Sequence, residues 1–257
     1  MTIGVPDAHP AVSVIVPAYN EVERITATID EIRTYFDRRG TTCQIVISAD
    51  GNDGTRERAA EVAASDGRIL VMGHRERSGK GRGIREAIPH CQGRLIGFVD
   101  ADQKTPIEEF DKVPPLFDAG HDLVIGSRAL RESTIERPQN LLRRVGSRGF
   151  GYCMRAIVGL SGIPDTQCGF KFFRREVAID LFARQQIDGY MFDVEILSIA
   201  RRLGYRIAQL PVRWRDDGDS RLRLVSGNVR NMTDLFKVRF RSRSIGRNER
   251  KDSDGRR

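Results

Sequence analysis

Cysteine is scarce in this chain: four among 257 residues, at Cys43, Cys91, Cys153 and Cys168, each far from the next. No pair has the spacing of a zinc-ligand set, and the scatter excludes a dense disulfide framework. No apolar run reaches the roughly 18 residues that a helix needs to cross a bilayer. The opening residues, MTIGVPDAHPAVSVIVP, lack the basic start, apolar middle and small-residue cleavage site of a secretory signal, which predicts a cytoplasmic protein. Aromatic residues are few, at 7%. What is present is the balance of a globular protein, 39% hydrophobic and 30% charged. The length suits one large α/β domain with an appendage.

Acidic residues are in deficit, 35 against 43 Lys and Arg, for a formal charge of +8 and a pI near 9.7. Such a balance invites a nucleic-acid reading, but the position of the charge argues against it. From Arg239 to Arg257, eight Arg and Lys face three acids in RFRSRSIGRNERKDSDGRR, an almost apolar-free stretch that predicts a disordered tail. From Arg137 to Leu160 there are five arginines and no acid, while Leu141, Val145, Phe150, Met154, Ile157 and Val158 recur at helical spacing. A basic amphipathic helix of this kind suits an anionic lipid surface; the alternative is a helix packed on its own domain with its arginines in water. Without a recognition helix, nucleic acid is not an expected partner.

The β-branched run Val12 to Val16, ended by Pro17, predicts a buried strand. Val22, Ile25, Ile29, Ile32 and Phe36 then step by three and four, the stripe of a helix ending near Gly40. The pattern repeats: strand Gln44 to Ser48 and a helix to about Ala64, strand Arg68 to Met72 and a helix to about Ile88. Strand Leu95 to Val99 precedes a helix from Pro106, and Leu123 to Ile125 makes a fifth strand. Alternation of this kind predicts an α/β fold, a mostly parallel central sheet flanked by helices. Ligands bind beyond the carboxyl ends of such strands, and here those ends read PAYNE, ADGNDG, SGKGRG, DADQ and GSR. Past Arg128 the alternation fades, with TQCGFKFF, a helix Tyr190 to Leu203 and a strand Arg206 to Val212 as landmarks.

Two phosphate-binding motifs fit poorly. Gly73 and Gly79 have five residues between them where a Walker A loop has four, and Gly81 stands where that loop needs Ser or Thr. The loop after the first strand has no glycine, which makes a poor match to a dinucleotide fingerprint. Asp100 and Asp102 at the end of the fourth strand, with Gln103 beside them, form an oxygen-rich patch suited to Mg²⁺ or Mn²⁺ shared with substrate phosphates. The bland alternative is that one aspartate caps a helix and the other is solvated. Lys80 can bring a point charge to a phosphate, its neighbouring glycines letting the backbone approach.

VSVIVPAYNE, the glycine-rich second loop, GKG, VDAD and GSR, in this order, resemble the family-2 glycosyltransferases of the GT-A fold. DTQCGFKFF (Asp165 to Phe173) and FDVEILSIARRLGYRIAQLPVRW (Phe192 to Trp214) are similar to the polyprenyl-phosphate branch, which includes dolichyl-phosphate glucosyltransferases and dolichyl-phosphate mannose synthases. The resemblance covers roughly residues 11 to 225. It implies a nucleotide-sugar half at 11–130 and an acceptor half at 131–225, between an N-terminal extension (1–10) and a C-terminal helix with the basic tail (226–257). It puts Pro17, Tyr19 and Glu21 against the base and ribose, with Ala49 and Asp50 also at the base. Asp100, Ala101 and Asp102 would bracket the sugar and diphosphate, Asp102 being the principal metal ligand with Asp100 and Gln103 beside it. Arg128 and Arg221 would meet the diphosphate or the acceptor phosphate.

The chain departs from the family pattern twice: Ala49 replaces the first aspartate of D-D-G-S-x-D, and Ser220-Arg221 stands for the family's S-K after a shortened, acidic RDDGD. The resemblance implies an inverting transfer from a nucleotide-diphosphate sugar, UDP-glucose ahead of GDP-mannose, to a polyprenyl phosphate. A phosphate acceptor is mostly dianionic at neutral pH and needs little help from a base. The alternative is a hydroxyl acceptor, for which Asp193, ahead of Glu195, is the candidate base. A lipid acceptor implies peripheral binding at the inner face of the cell membrane through 137–160 and the tail; self-association stays open.

Overall fold

The computed structural model describes residues 9–136, 158–215, 234 and 237–239. The basic segment 137–157, Arg221 and the tail beyond Arg239 lie outside the described residues.

Strands β1 (Val12–Tyr19), β2 (Cys43–Asp50), β3 (Ile69–Met72), β4 (Leu95–Val99) and β5 (Leu123–Ser127) alternate with helices α1 (Ile25–Arg38), α2 (Thr55–Ala63), α3 (Lys80–Ala87) and α4 (Val113–Asp118). Then follow β6 (Thr134–Ile135), β7 (Phe170–Arg174), α5 (Arg175–Arg184), α6 (Phe192–Arg202), β8 (Ile207–Pro211) and β9 (Arg213–Trp214). The main sheet has seven strands in the order β3-β2-β1-β4-β7-β5-β8, and β6 pairs with β9 apart from it. All main-sheet pairings are parallel except those of β7, which runs antiparallel to both β4 and β5. The expected mostly parallel sheet is therefore present, with one reversed strand drawn from TQCGFKFF.

Each strand feeds two cores because side chains alternate across a pleat. On one face Ile15, Ile96, Phe98 and Phe173 pack with Ile84 of α3 and with α5 and α6. On the other, Val12, Val14, Val16, Val99 and Phe172 pack with Ile29, Ile32 and Phe36 of α1 and with Phe110, Val113 and Phe117.

Three boundaries differ from the sequence reading. β1 runs through Pro17 to Tyr19. Its ladder with β4 stops at Ile15↔Phe98 while that with β2 continues, so the proline sits where one flank needs no donor. α1 starts at Ile25 rather than Val22, because Arg24 and Ile25 first close a turn on the Glu21 carbonyl. The helix from Pro106 is a 3₁₀ segment, Ile107–Lys112, before α4. Pro114 and Pro115 lack the N–H groups that one continuous α-helix would use.

Candidate functional site

The carboxyl ends of β1 to β5 lie on one edge, where SGKGRG meets Asp188 and GSR meets Val212 and Trp214 from beyond β7. At the end of β1, the Arg77 guanidinium lies 4.6 Å from the centre of the Tyr19 ring and 5.9 Å from that of Tyr190. Pro17 is half-buried, Tyr19 exposed. The Glu21 amide donates to Thr55 Oγ1 at 2.8 Å, and Asp53 in turn accepts from the Thr55 hydroxyl at 2.6 Å. Ala49 and Asp50 are both buried. Asp50 Oδ2 accepts from the Ser78 amide (2.7 Å) and hydroxyl (2.6 Å), and Oδ1 from the His74 amide at 3.1 Å. Its carboxylate thus ties down the glycine-rich loop.

The glycines flanking Lys80 serve a contact within the chain. Gly81 and Arg82 donate their amides to the Asp188 carbonyl at 2.8 and 3.2 Å. A Cβ on Gly79 would stand 2.3 Å from that oxygen, and one on Gly81 2.4 Å from the Ile187 carbonyl. Arg85 adds an ion pair to Asp188 at 2.6 Å. The first turn of α3, which would otherwise present unsatisfied N–H groups, is occupied by the segment ahead of α6. This corrects the expectation that these glycines open the backbone to a phosphate.

Lys80 does point into the site, its ammonium 2.5 Å from Asp100 Oδ1. Desolvation opposes its protonated form, but the charges of Asp100 and Asp193 outweigh that and raise its pKa. Desolvation likewise pushes Asp100 up, yet Lys80, with Lys171 and Arg128 further off, holds it below the usual carboxylate range. The Asp100 amide donates to the Gly169 carbonyl at 3.0 Å. A Cβ on Gly169 would fall 1.9 Å from Asp100 Oδ2, so a larger residue there would displace the Asp100 carboxylate. Asp102 is raised, by desolvation first and then by the neighbouring Asp100 charge. Lys104 meets it twice, amide to Oδ1 at 3.3 Å and ammonium to Oδ2 at 3.3 Å. Gln103 sits at φ 49, with both amide atoms buried and unpartnered among the described residues; Ala101 between the aspartates is buried.

This donor set fits a hard divalent cation: two carboxylates and an orphaned amide oxygen on one turn. Among the described residues no three His, Cys, Asp or Glu gather as a metal site. A cation held here would depend on further oxygens from its ligand, as Mg²⁺ and Mn²⁺ at phosphates do.

Arg128 and Asp193 both have partners. Arg128 donates its Nε and a terminal N–H to the two oxygens of Asp165 at 2.7 and 2.9 Å, and its amide to Oδ2 at 2.9 Å. Its guanidinium lies 5.4 Å from the Trp214 ring centre. Asp193, on α6, accepts from the Lys171 ammonium at 2.6 Å; that lysine, 0% exposed on β7, also donates to the Cys168 carbonyl at 2.7 Å. Burial raises the Asp193 pKa against the opposing pull of Lys171. Glu195 accepts from the amides of Gln186 and Ile187 at 3.0 and 2.8 Å. Lys171, Lys104, Arg77 and Asp165 are site neighbours that sequence reasoning did not single out. For Lys171 the signal was a lone cation inside the apolar run GFKFF, which only a buried partner allows.

A parallel sheet whose polar residues gather at one edge defines an α/β protein with its ligand crevice beyond the strand ends. The chain belongs to glycosyl transferase family 2, whose pattern matches residues 13–182, and it has the GT-A fold. It is 36% identical over 235 residues to a dolichyl-phosphate beta-glucosyltransferase of Trichomonas vaginalis, covering 87% of this chain and 69% of that protein. It is 30% identical over 247 residues to the dolichyl-phosphate beta-glucosyltransferase of Homo sapiens, covering 89% and 75%. Among solved structures, mannosyl-3-phosphoglycerate synthase of Rubrobacter xylanophilus superposes with a TM-score of 0.67 at 19% identity, over 91% of this chain and 75% of that one. Glucosyl-3-phosphoglycerate synthase of Mycobacterium tuberculosis, in complex with Mn²⁺, uridine diphosphate and phosphoglyceric acid, gives 0.65 at 23%, over 90% and 78%.

Proposed function

We propose that this glycosyltransferase moves glucose from UDP-glucose to a polyprenyl phosphate of the dolichyl class, with inversion at the anomeric carbon. The observation that carries the reading is the likeness to dolichyl-phosphate beta-glucosyltransferases, which runs through both the β1–β5 loops and the segment from β7 to β9. The pairing of Asp193 with buried Lys171 supports it further. A hydroxyl acceptor needs a base, and this carboxylate already has a cation; a dianionic phosphate acceptor needs none.

In this reading an acceptor phosphate oxygen forms a bond to the anomeric carbon as the bond to UDP breaks, and no covalent enzyme intermediate arises. Pro17, Tyr19 and Glu21, with Ala49 and Asp50 behind them, line the base and ribose side. Asp100, Asp102 and Gln103 would hold Mg²⁺ or Mn²⁺, which supplies Lewis-acid relief of charge on the leaving diphosphate. Lys80 adds a fixed positive charge beside it. Arg128, oriented by Asp165, would meet the diphosphate or the acceptor phosphate, a role that the family resemblance gives to Arg221 as well, and positioning with charge neutralisation carries the rate. Access to a lipid acceptor is peripheral, through segment 137–160 and the basic tail; no helix among the described residues is long and apolar enough to cross a membrane.

The test is a donor screen with purified protein, Mg²⁺ or Mn²⁺ and a short polyprenyl phosphate. UDP-glucose is expected to yield the glucosylated lipid phosphate, with GDP-mannose far slower. Asp102→Ala is expected to cut turnover by about 10²-fold or more. Sugar transfer to hydroxyl acceptors only, or turnover unchanged by EDTA, would overturn the reading.

A further inference from the structure

Both aspartates at the end of β4 already carry an ammonium group: Lys80 at 2.5 Å from Asp100 and Lys104 at 3.3 Å from Asp102. In these two pairs each carboxylate faces one ammonium group. Lys80 and Lys104 are 16% and 12% exposed, whereas Asp100 and Asp102 are 40% and 25% exposed, so the ammonium groups lie beneath carboxylates that remain open to an arriving ligand. Neither lysine can retreat with its backbone. Lys80 opens α3, whose first turn is fixed on Asp188, and Lys104 is held at its carbonyl by the Arg215 amide at 2.9 Å.

A divalent cation arriving alone would bring two uncompensated charges beside two ammonium groups. A nucleoside diphosphate arriving with it brings the missing negative charge and gives the lysines new partners. We infer that Lys80 and Lys104 are built-in counter-ions of the aspartate pair, which keep it from holding a divalent cation alone and make cation and diphosphate bind together. The inference rests on the metal reading of Asp100 and Asp102 given above. Gln103, whose buried amide has no hydrogen-bond partner among the described residues, is an oxygen donor with no competing cation.

The experiment measures Mn²⁺ binding to the full chain by loss of the free-ion electron paramagnetic resonance signal, with and without UDP and corrected for the Mn²⁺–UDP complex in solution. Wild type, Lys80→Met, Lys104→Gln, the double variant and the charge-preserving Lys80→Arg are compared, and Lys104→Gln serves alone if Lys80→Met does not fold. In the wild type, UDP is expected to tighten Mn²⁺ about tenfold or more, and Mn²⁺ to tighten UDP by the same factor. Without UDP, Lys80→Met and the double variant are expected to bind Mn²⁺ about tenfold more tightly than wild type, Lys104→Gln by a smaller factor, with Lys80→Arg close to wild type. Equal affinities for Mn²⁺ alone across all five proteins would overturn the inference and leave the metal reading standing. Failure of every protein to bind Mn²⁺, with or without UDP, would overturn both.

Discussion

Asp165 accepts four N–H groups, three from Arg128 and one from the Gln167 amide at 3.2 Å. Burial pushes its pKa up, but the Arg128 charge and hydrogen bonds win and hold it at about 2. The unfolded chain, with an ordinary value near 3.9, takes up this proton first as pH falls. The stabilisation is therefore complete above the unfolded value and is lost as pH drops through it toward 2, an effect of about 2–3 kcal/mol. Denaturant unfolding at a series of acid pH values is expected to show this loss in wild type and a shallower slope in Asp165→Asn. The role of Asp165 was not legible in the sequence, because its partner is distant in the chain and the pairing exists only once β5 and the segment ahead of β7 are adjacent. Asp100 and Asp102 were legible, since two carboxylates at the end of a buried strand stand out against the apolar residues before them. Lys80 was legible as a cation but not as the partner of Asp100, 20 residues on, and Lys104, only two residues past Asp102, carries no local pattern that marks it as a counter-ion.

At the scale of elements, the joint between α3 and residues 185–189 decides how the two sides of the crevice meet. Gly81 lies where a methyl group would also stand 2.6 Å from the Phe192 Cβ, so Gly81→Ala must push α6 and the Ile187 carbonyl away. Overpacking of this kind costs about 1–3 kcal/mol. The thermal midpoint of Gly81→Ala is expected to fall accordingly, and UDP binding to weaken with it, since Lys80 is carried on the same turn. Calorimetric scanning and titration with UDP check the two effects, and an unchanged midpoint would show that the joint is looser than its geometry. The five β-strands and their helices were readable from period and turn chemistry because each is a local pattern. β7 was not, because four aromatic and apolar neighbours around a lysine fit no alternation, and its direction is set by pairing with β4 and β5.

For the whole molecule the surplus of basic residues, 43 against 35, bears on where the protein works. The peripheral reading places that charge against anionic headgroups, where each Lys or Arg near the surface contributes about 1 kcal/mol. Flotation with vesicles containing anionic lipid is expected to carry the full chain, to do so less at high salt, and to weaken on removal of residues 240–257. Flotation that ignores anionic lipid content would remove the membrane from the proposal.

The reversed strand has a consequence for how such a chain comes into being. β7 separates β4 from β5 although it follows both in sequence, so on a ribosome β5 has no berth until Phe170–Arg174 has emerged. Until then β4 presents a bare strand edge, a template for mispairing with another nascent chain. Closure of that edge brings Lys171 across from Phe98 and links β5 to the rest of the sheet, with β8 still to add beyond it, a late, long-range event of the slow kind that topology imposes on folding. The polar edge that would receive the sugar nucleotide is thus finished only when its far side has been made, and no shorter N-terminal fragment ending before β7 would carry it whole.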